Sequence, residues 1–100
     1  MQTFFLATKL SPDSARDAET IKANGRKWME AVKRNCPEVK WLHHYCLFGQ
    51  YDFLSLYEAP DLATAAKVSV ISMSLGAMSA ESWPAIPYHD FIELLDTISE

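Results

Sequence analysis

The residues best equipped for chemistry stand together near the middle of the chain, in Trp41-Leu42-His43-His44-Tyr45-Cys46. An imidazole two positions from a thiol offers two ligands for a metal ion, or a base beside a nucleophile. In a strand, His43 and His44 point to opposite faces, whereas His44 and Cys46 share one. Two ligands do not complete a metal site, and neither Glu81 nor His89 stands at a recognisable ligand spacing from them. Nothing marks an oxyanion hole for a Cys46 nucleophile. No metal is expected, and Cys46 reads as a small buried hydrophobe.

The wider face is more informative. If Gly49-Gln50 is a two-residue turn with Phe48 opposite Tyr51, alternation collects Leu42, His44, Cys46, Phe48, Tyr51, Phe53, Ser55 and Tyr57 on one side. Trp41, His43, Tyr45, Leu47, Leu54 and Leu56 fall on the other. The second set is the more aliphatic and suits helices. The first mixes aromatic bodies with imidazole, thiol and hydroxyl groups, as a pocket for a small apolar molecule would. His44, Cys46, Tyr51, Ser55 and Tyr57 are its candidate ligand-binding residues. The same composition also suits an aromatic-rich interface between subunits. A one-residue bulge would exchange the faces of one strand relative to the other.

Other polar residues have simpler uses. Asp52 is expected to satisfy backbone groups at the turn. Glu58 and Asp61 read as strand-end and helix-cap residues, Trp83 as a packing residue and His89 as exposed. No phosphate-binding glycine loop, serine elbow or HExxH pattern occurs, which leaves phosphoryl transfer, elbow hydrolases and zincins without support. No cofactor is expected.

The elements that must position these side chains follow from pattern. Thr3 to Leu10 is an apolar run with large groups on both faces, hence a central strand. Ser11-Pro12-Asp13 signals a helix start, with Ser11 as cap. Small or apolar residues then recur at helical spacing through Val32 until Asn35-Cys36-Pro37 ends the helix. Gly25 within it is expected to permit close approach to the sheet, since glycine there costs helix stability. Val39–Phe48 and Tyr51–Glu58 are the next strands. Asp61 caps a second helix that Gly76 closes. Ala77 to Ile86 reads as a fourth strand, interrupted by Pro84, which confines that part to an edge or strand end. Tyr88 to Ile98 reads as a short amphipathic helix.

The order is β-α-β-β-α-β, the split βαβ arrangement of ferredoxin-like folds: an α+β class with a four-stranded antiparallel sheet and two helices on one face. Residues 1–100 make one domain. Both sheet faces look apolar and the chain has helix enough for one, so a second copy is the expected cover. That predicts a homodimer, a dimeric α+β barrel.

Composition limits the partners. The chain is 49% hydrophobic and 22% charged with a net charge of −4, which is globular composition and lacks the basic surface that nucleic acid requires. The basic residues Lys22, Arg26, Lys27, Lys33 and Arg34 read as a solvated helix face. Two cysteines form no disulfide framework, no secretory signal pattern opens the sequence, and no apolar run is long enough to span a bilayer. A cytoplasmic location without membrane or nucleic-acid partners is expected.

Gly49-Gln50-Tyr51-Asp52, an alternating strand, Glu58-Ala59-Pro60-Asp61 and a helix carrying Ala63, Ala65 and Ala66 together resemble the GYD domain family. The specific residues lie between positions 49 and 66; element order extends the resemblance over nearly the whole chain. Members commonly carry a Thr-rich fourth strand where Ser79-Ala80-Glu81-Ser82-Trp83-Pro84 stands here. The resemblance implies a ferredoxin-like fold within the dimeric α+β barrel superfamily, which holds cofactor-independent monooxygenases, isomerases, heme enzymes and amino-acid-sensing domains. It implies a fold, not a reaction. The leading expectation is a homodimer without catalysis, binding a small apolar ligand between the sheets or serving as an assembly or regulatory component. The alternative is a cofactor-independent isomerase or monooxygenase with His44 transferring the proton and Tyr51, Ser55 and Tyr57 orienting an aromatic substrate. Heme binding ranks third.

Overall fold

In a computed structural model, which describes residues 1–99, the element order is β1 (Gln2–Leu10), α1 (Ala18–Asn35), β2 (Lys40–Cys46), β3 (Phe53–Ala59), α2 (Leu62–Ser74), β4 (Ala77–Ala85) and α3 (Tyr88–Leu95). The strands form one antiparallel sheet in the order β2-β3-β1-β4. This is the ferredoxin-like arrangement, with β1 central and the Pro84-bearing strand at an edge, where a missing N–H is tolerated. None of the described helices is long and apolar enough to cross a membrane.

The ladder sorts side chains into two faces. Under the helices lie Phe4, Leu6, Tyr57, Ala59 and Ala80, which with Val32, Cys36, Ala65 and Val68 make the core. Tyr57 stacks on Phe4 at 5.5 Å between ring centroids, and its hydroxyl pairs with Ser82 Oγ at 3.0 Å. That bond meets the requirement that a buried phenol keep a partner. Small residues at Ala65, Val68 and Ser72 let α2 lie close on the sheet. Only Ala31 and Val32, near the C-terminal end of α1, are buried. The N-terminal half of α1 overhangs the sheet and stands off it.

Four sequence expectations change here. Ser11 caps a single turn, accepting from Ser14 N at 3.2 Å; the helix itself starts at Ala18, where Asp17 accepts from Thr20 N at 2.8 Å. Two oxygen-bearing residues compete to end the same loop, and the later one begins the run of continuous helical bonds. Gly25 does not bring α1 against the sheet, because a Cβ built there meets nothing within 4 Å. Its helical cost of about 1 kcal/mol relative to alanine offsets no clash.

The tight turn is replaced by a loop. The ladder ends at Cys46 and Phe53, and Leu47 N donates to Asp52 O at 2.8 Å across the loop between them. Asp52 N donates to Thr8 O at 2.8 Å and its carboxylate accepts Leu10 N at 2.8 Å. The backbone duty expected of Asp52 is therefore met on β1, and these bonds hold the loop open. Phe48 is almost wholly exposed. Finally, the β2–β3 register shifts between Trp41 and His43, so Trp41 pairs with Tyr57 and turns under the helices instead of lying beside His43.

Candidate functional site

Alternation from the buried Tyr57 places Ser55 on the helix side of β3, and the pairing His44↔Ser55 brings His44 there as well. The mixed polar-aromatic set is thus turned toward α1, the reverse of the face expected from the sequence. The aliphatic Leu54 and Leu56 lie on the open face. The face assignment failed because both sets are apolar enough to be covered, so composition does not decide which one the helices take.

His44 Nδ1 meets Ser55 Oγ at 2.9 Å. Its ring centroid lies 5.0 Å from Trp41 and 6.0 Å from Trp28, edge-on to the latter. Trp28 Nε1 donates to Ser72 Oγ at 2.8 Å, and the Ser72 hydroxyl in turn donates to Val68 O at 2.8 Å. This chain ties α1 to α2 along one wall. Between the raised half of α1 and the sheet lies a cavity of about 460 Å³, open on one side. Trp28, Asn24 and Gly25 of α1 face it together with His44, Cys46, Phe53 and Ser55 of the sheet. The volume falls within the range of small-molecule sites.

Of the five expected ligand residues, His44, Cys46 and Ser55 come together here. Tyr57 is fully buried in the core and does not line this cavity. Tyr51 lies on the other side of the sheet, donating to Glu81 Oε2 at 2.7 Å with its ring edge-on to Trp83. Cys46 is exposed, not a buried hydrophobe; Cys36 takes that role in the core. The end position of β2 leaves the Cys46 thiol uncovered by α1. His89 is exposed, as expected, and pairs with Glu93. Asn24, Trp28 and Ser72 went unrecognised. Asn24, Gly25 and Trp28 occupy one helical face, and that spacing was the available signal.

Partial desolvation lowers the pKa of the His44 imidazole below its ordinary value, which favours the neutral ring. A folded-state pKa below the unfolded one means that the unfolded chain binds more protons in that interval. The stability contributed is full above the unfolded pKa and is lost as pH falls through the folded one. Chemical denaturation from pH 7 to pH 5 is therefore expected to show a decline that His44→Gln, which retains a partner for Ser55, removes. An unchanged slope in that variant would contradict the assignment.

On the other side of the sheet, pairing aligns two rows across all four strands: His43–Leu56–Phe5–Trp83 and Tyr45–Leu54–Ala7–Glu81. Glu81 accepts from Tyr51 and, at 2.9 Å, from Trp83 Nε1, and these donors hold its carboxyl below the usual range, Trp83 contributing most. No described helix covers these rows. The α3 helix, with Phe91, Ile92, Leu94 and Leu95 all substantially exposed, buries no residue and packs on no other element. A Cα radius of gyration of 15.3 Å, against about 13 Å for a typical domain of this length, records that projection.

A four-stranded antiparallel sheet with helices on one face, a ligand-sized cavity open on one side beneath α1 and the other face left bare makes this an α+β subunit of the ferredoxin-like class. More specifically, the chain belongs to the GYD domain family, whose model matches residues 4–95. A relative from Thermus thermophilus is 32% identical over 98 residues, spanning 95% of this chain and 99% of its own. It is named a glutamine synthetase and cystathionine beta-lyase binding protein. Among solved structures, TTHA0845 from Thermus thermophilus superposes with a TM-score of 0.59 at 22% identity, over 87% of this chain and 95% of its own. The hypothetical protein PHS023 from Pyrococcus horikoshii gives 0.52 at 22% identity, over 89% and 94%. These two likenesses concern the fold.

Proposed function

We propose that the protein is a binding and regulatory component without a reaction of its own, acting as a homodimer that docks on larger protein partners. The observation that carries this reading is the unpartnered surface: two rows on the open sheet face made mostly of aromatic and aliphatic side chains, and an amphipathic helix with nothing beneath it. Monomers rarely leave contiguous apolar surface of that kind in water. A second copy meets the same rows about a two-fold axis, which makes the contact self-complementary. The α3 helix of each copy then has a partner surface to cover.

The protein-binding part of the reading draws on the relative named for binding two enzymes, which matches this chain almost end to end. It predicts that the protein co-elutes from a sizing column with purified glutamine synthetase or cystathionine beta-lyase of its own source, at micromolar concentration. Independent elution from both enzymes would remove the support that the relative lends.

A further inference from the structure

The cavity beneath α1 has properties that subunit packing does not require. No Asp, Glu, Lys or Arg lines it. Ser72 is occupied by Trp28 and Val68, and Ser14 by Ser11. Polar lining groups with unused hydrogen-bonding capacity among the described residues include the Asn24 carboxamide on α1, Nε2 of His44 on β2 and the hydroxyls of Thr8 and Tyr45. Apart from Ser55 and Cys46 the rest of the wall is aromatic or aliphatic, with Trp28, Tyr45 and Phe53 its flat surfaces. Gly25 sits in the roof in an ordinary helical conformation with open space where a side chain would be. Alanine would make a better helix at that position. A glycine there serves neither a turn nor a close approach; it leaves volume.

We propose that this cavity binds an uncharged, flat aromatic molecule, stacked against Trp28 and Phe53 and hydrogen-bonded by Asn24 and His44, with Gly25 keeping the space open. An apolar wall with a few convergent polar groups suits such a ligand. An anionic or cationic one would be stripped of water with no countercharge in the wall. The site lies on the opposite side of the sheet from the open face, so it stands or falls independently of the pairing of two copies.

The test uses N-phenyl-1-naphthylamine, a neutral aromatic dye that fluoresces in apolar surroundings, and its anionic relative 8-anilinonaphthalene-1-sulfonate. The intact protein is expected to bind the neutral dye at one saturable site per chain. The anionic dye should bind about tenfold more weakly or worse, since its sulfonate has no partner in the wall. Gly25→Leu, a good helix former that projects into the cavity, should weaken the neutral dye by about tenfold or more. Gly25→Ala should retain binding and, with circular dichroism, guards against a loss caused by misfolding. Saturating dye should also slow the reaction of the exposed Cys46 thiol with a disulfide reagent, while buried Cys36 stays silent in both states. Three results overturn the proposal: no saturable site in the unsubstituted protein, equal affinity for the two dyes, or binding and Cys46 protection unchanged in Gly25→Leu. The last would place the dye on the open face or α3.

Discussion

Leu56→Glu is expected to yield a folded monomer. Leu56 lies on the open face, between His43 on one side and Phe5 on the other. In an isolated subunit the site is half-exposed, so a carboxylate there reaches water and the fold loses little. In a two-fold interface the substitution counts twice, burying two unpaired like charges close to one another. A loss of about 4 kcal/mol, corresponding to a dissociation constant raised roughly a thousandfold, is the expected scale. Sedimentation of the variant beside the parent, with thermal melts to confirm folding, decides it. A dimer of unchanged affinity would show that the open face is not where copies meet.

The second large effect concerns the fold alone. Gly76 has φ +112°, the one described residue in the left-handed region, and a Cβ there would strike Ser14 Oγ. Its carbonyl accepts Ser11 N at 3.0 Å, fastening the end of α2 to the turn that follows β1. Gly76→Ala therefore combines backbone strain with overpacking against a buried serine. The expected cost is about 2–4 kcal/mol, a fall in melting temperature of at least about 10 °C for a domain of this size. Gly49 is the control. It has no left-handed φ and nothing within 4 Å of a built Cβ, so Gly49→Ala should stay within about 0.5 kcal/mol of the parent. Equal behaviour of the two variants would refute this account of where the fold needs glycine.

Local chemistry made most of the architecture legible. Asp61 ahead of an alanine-rich helix, Pro37 after α1 and Gly76 after α2 each act over a few residues, and each boundary lies where those residues put it. Pro84 restricted β4 to an edge, and the run of large groups on both sides of β1 fixed it at the centre. What failed was non-local. Whether Trp41 lies beside His43 or beneath the helices depends on a bulge at Leu42 that no residue type announces. The two-residue turn at Gly49-Gln50 lost to bonds from Asp52 to β1, which join positions more than forty residues apart.

The same limit governed the site. His44, Cys46 and Ser55 come together because strand period and the expected register, Phe48 opposite Tyr51, set His44 across from Ser55, a pairing that the structure keeps. Tyr51 and Tyr57 were grouped with them by extending that period through a turn and into the core. Tyr57 shares the face but is consumed by packing on Phe4 and Trp41. Tyr51 leaves the strand and crosses to Glu81. The missing wall, Asn24, Gly25 and Trp28, belongs to a helix whose distance from the sheet is set by how its far end packs at Ala31 and Val32. A glycine inside a helix signals either close approach or empty space, and only the position of the neighbouring layer tells which.

The central claim is that the bare sheet face and α3 exist to be covered by a second copy. Native mass spectrometry of the gently purified protein at low micromolar concentration addresses it directly. The account predicts a species of twice the 11.3 kDa chain mass as the dominant ion series. A stable monomer under those conditions would contradict it, and the reading of the open face as a subunit interface would have to be given up.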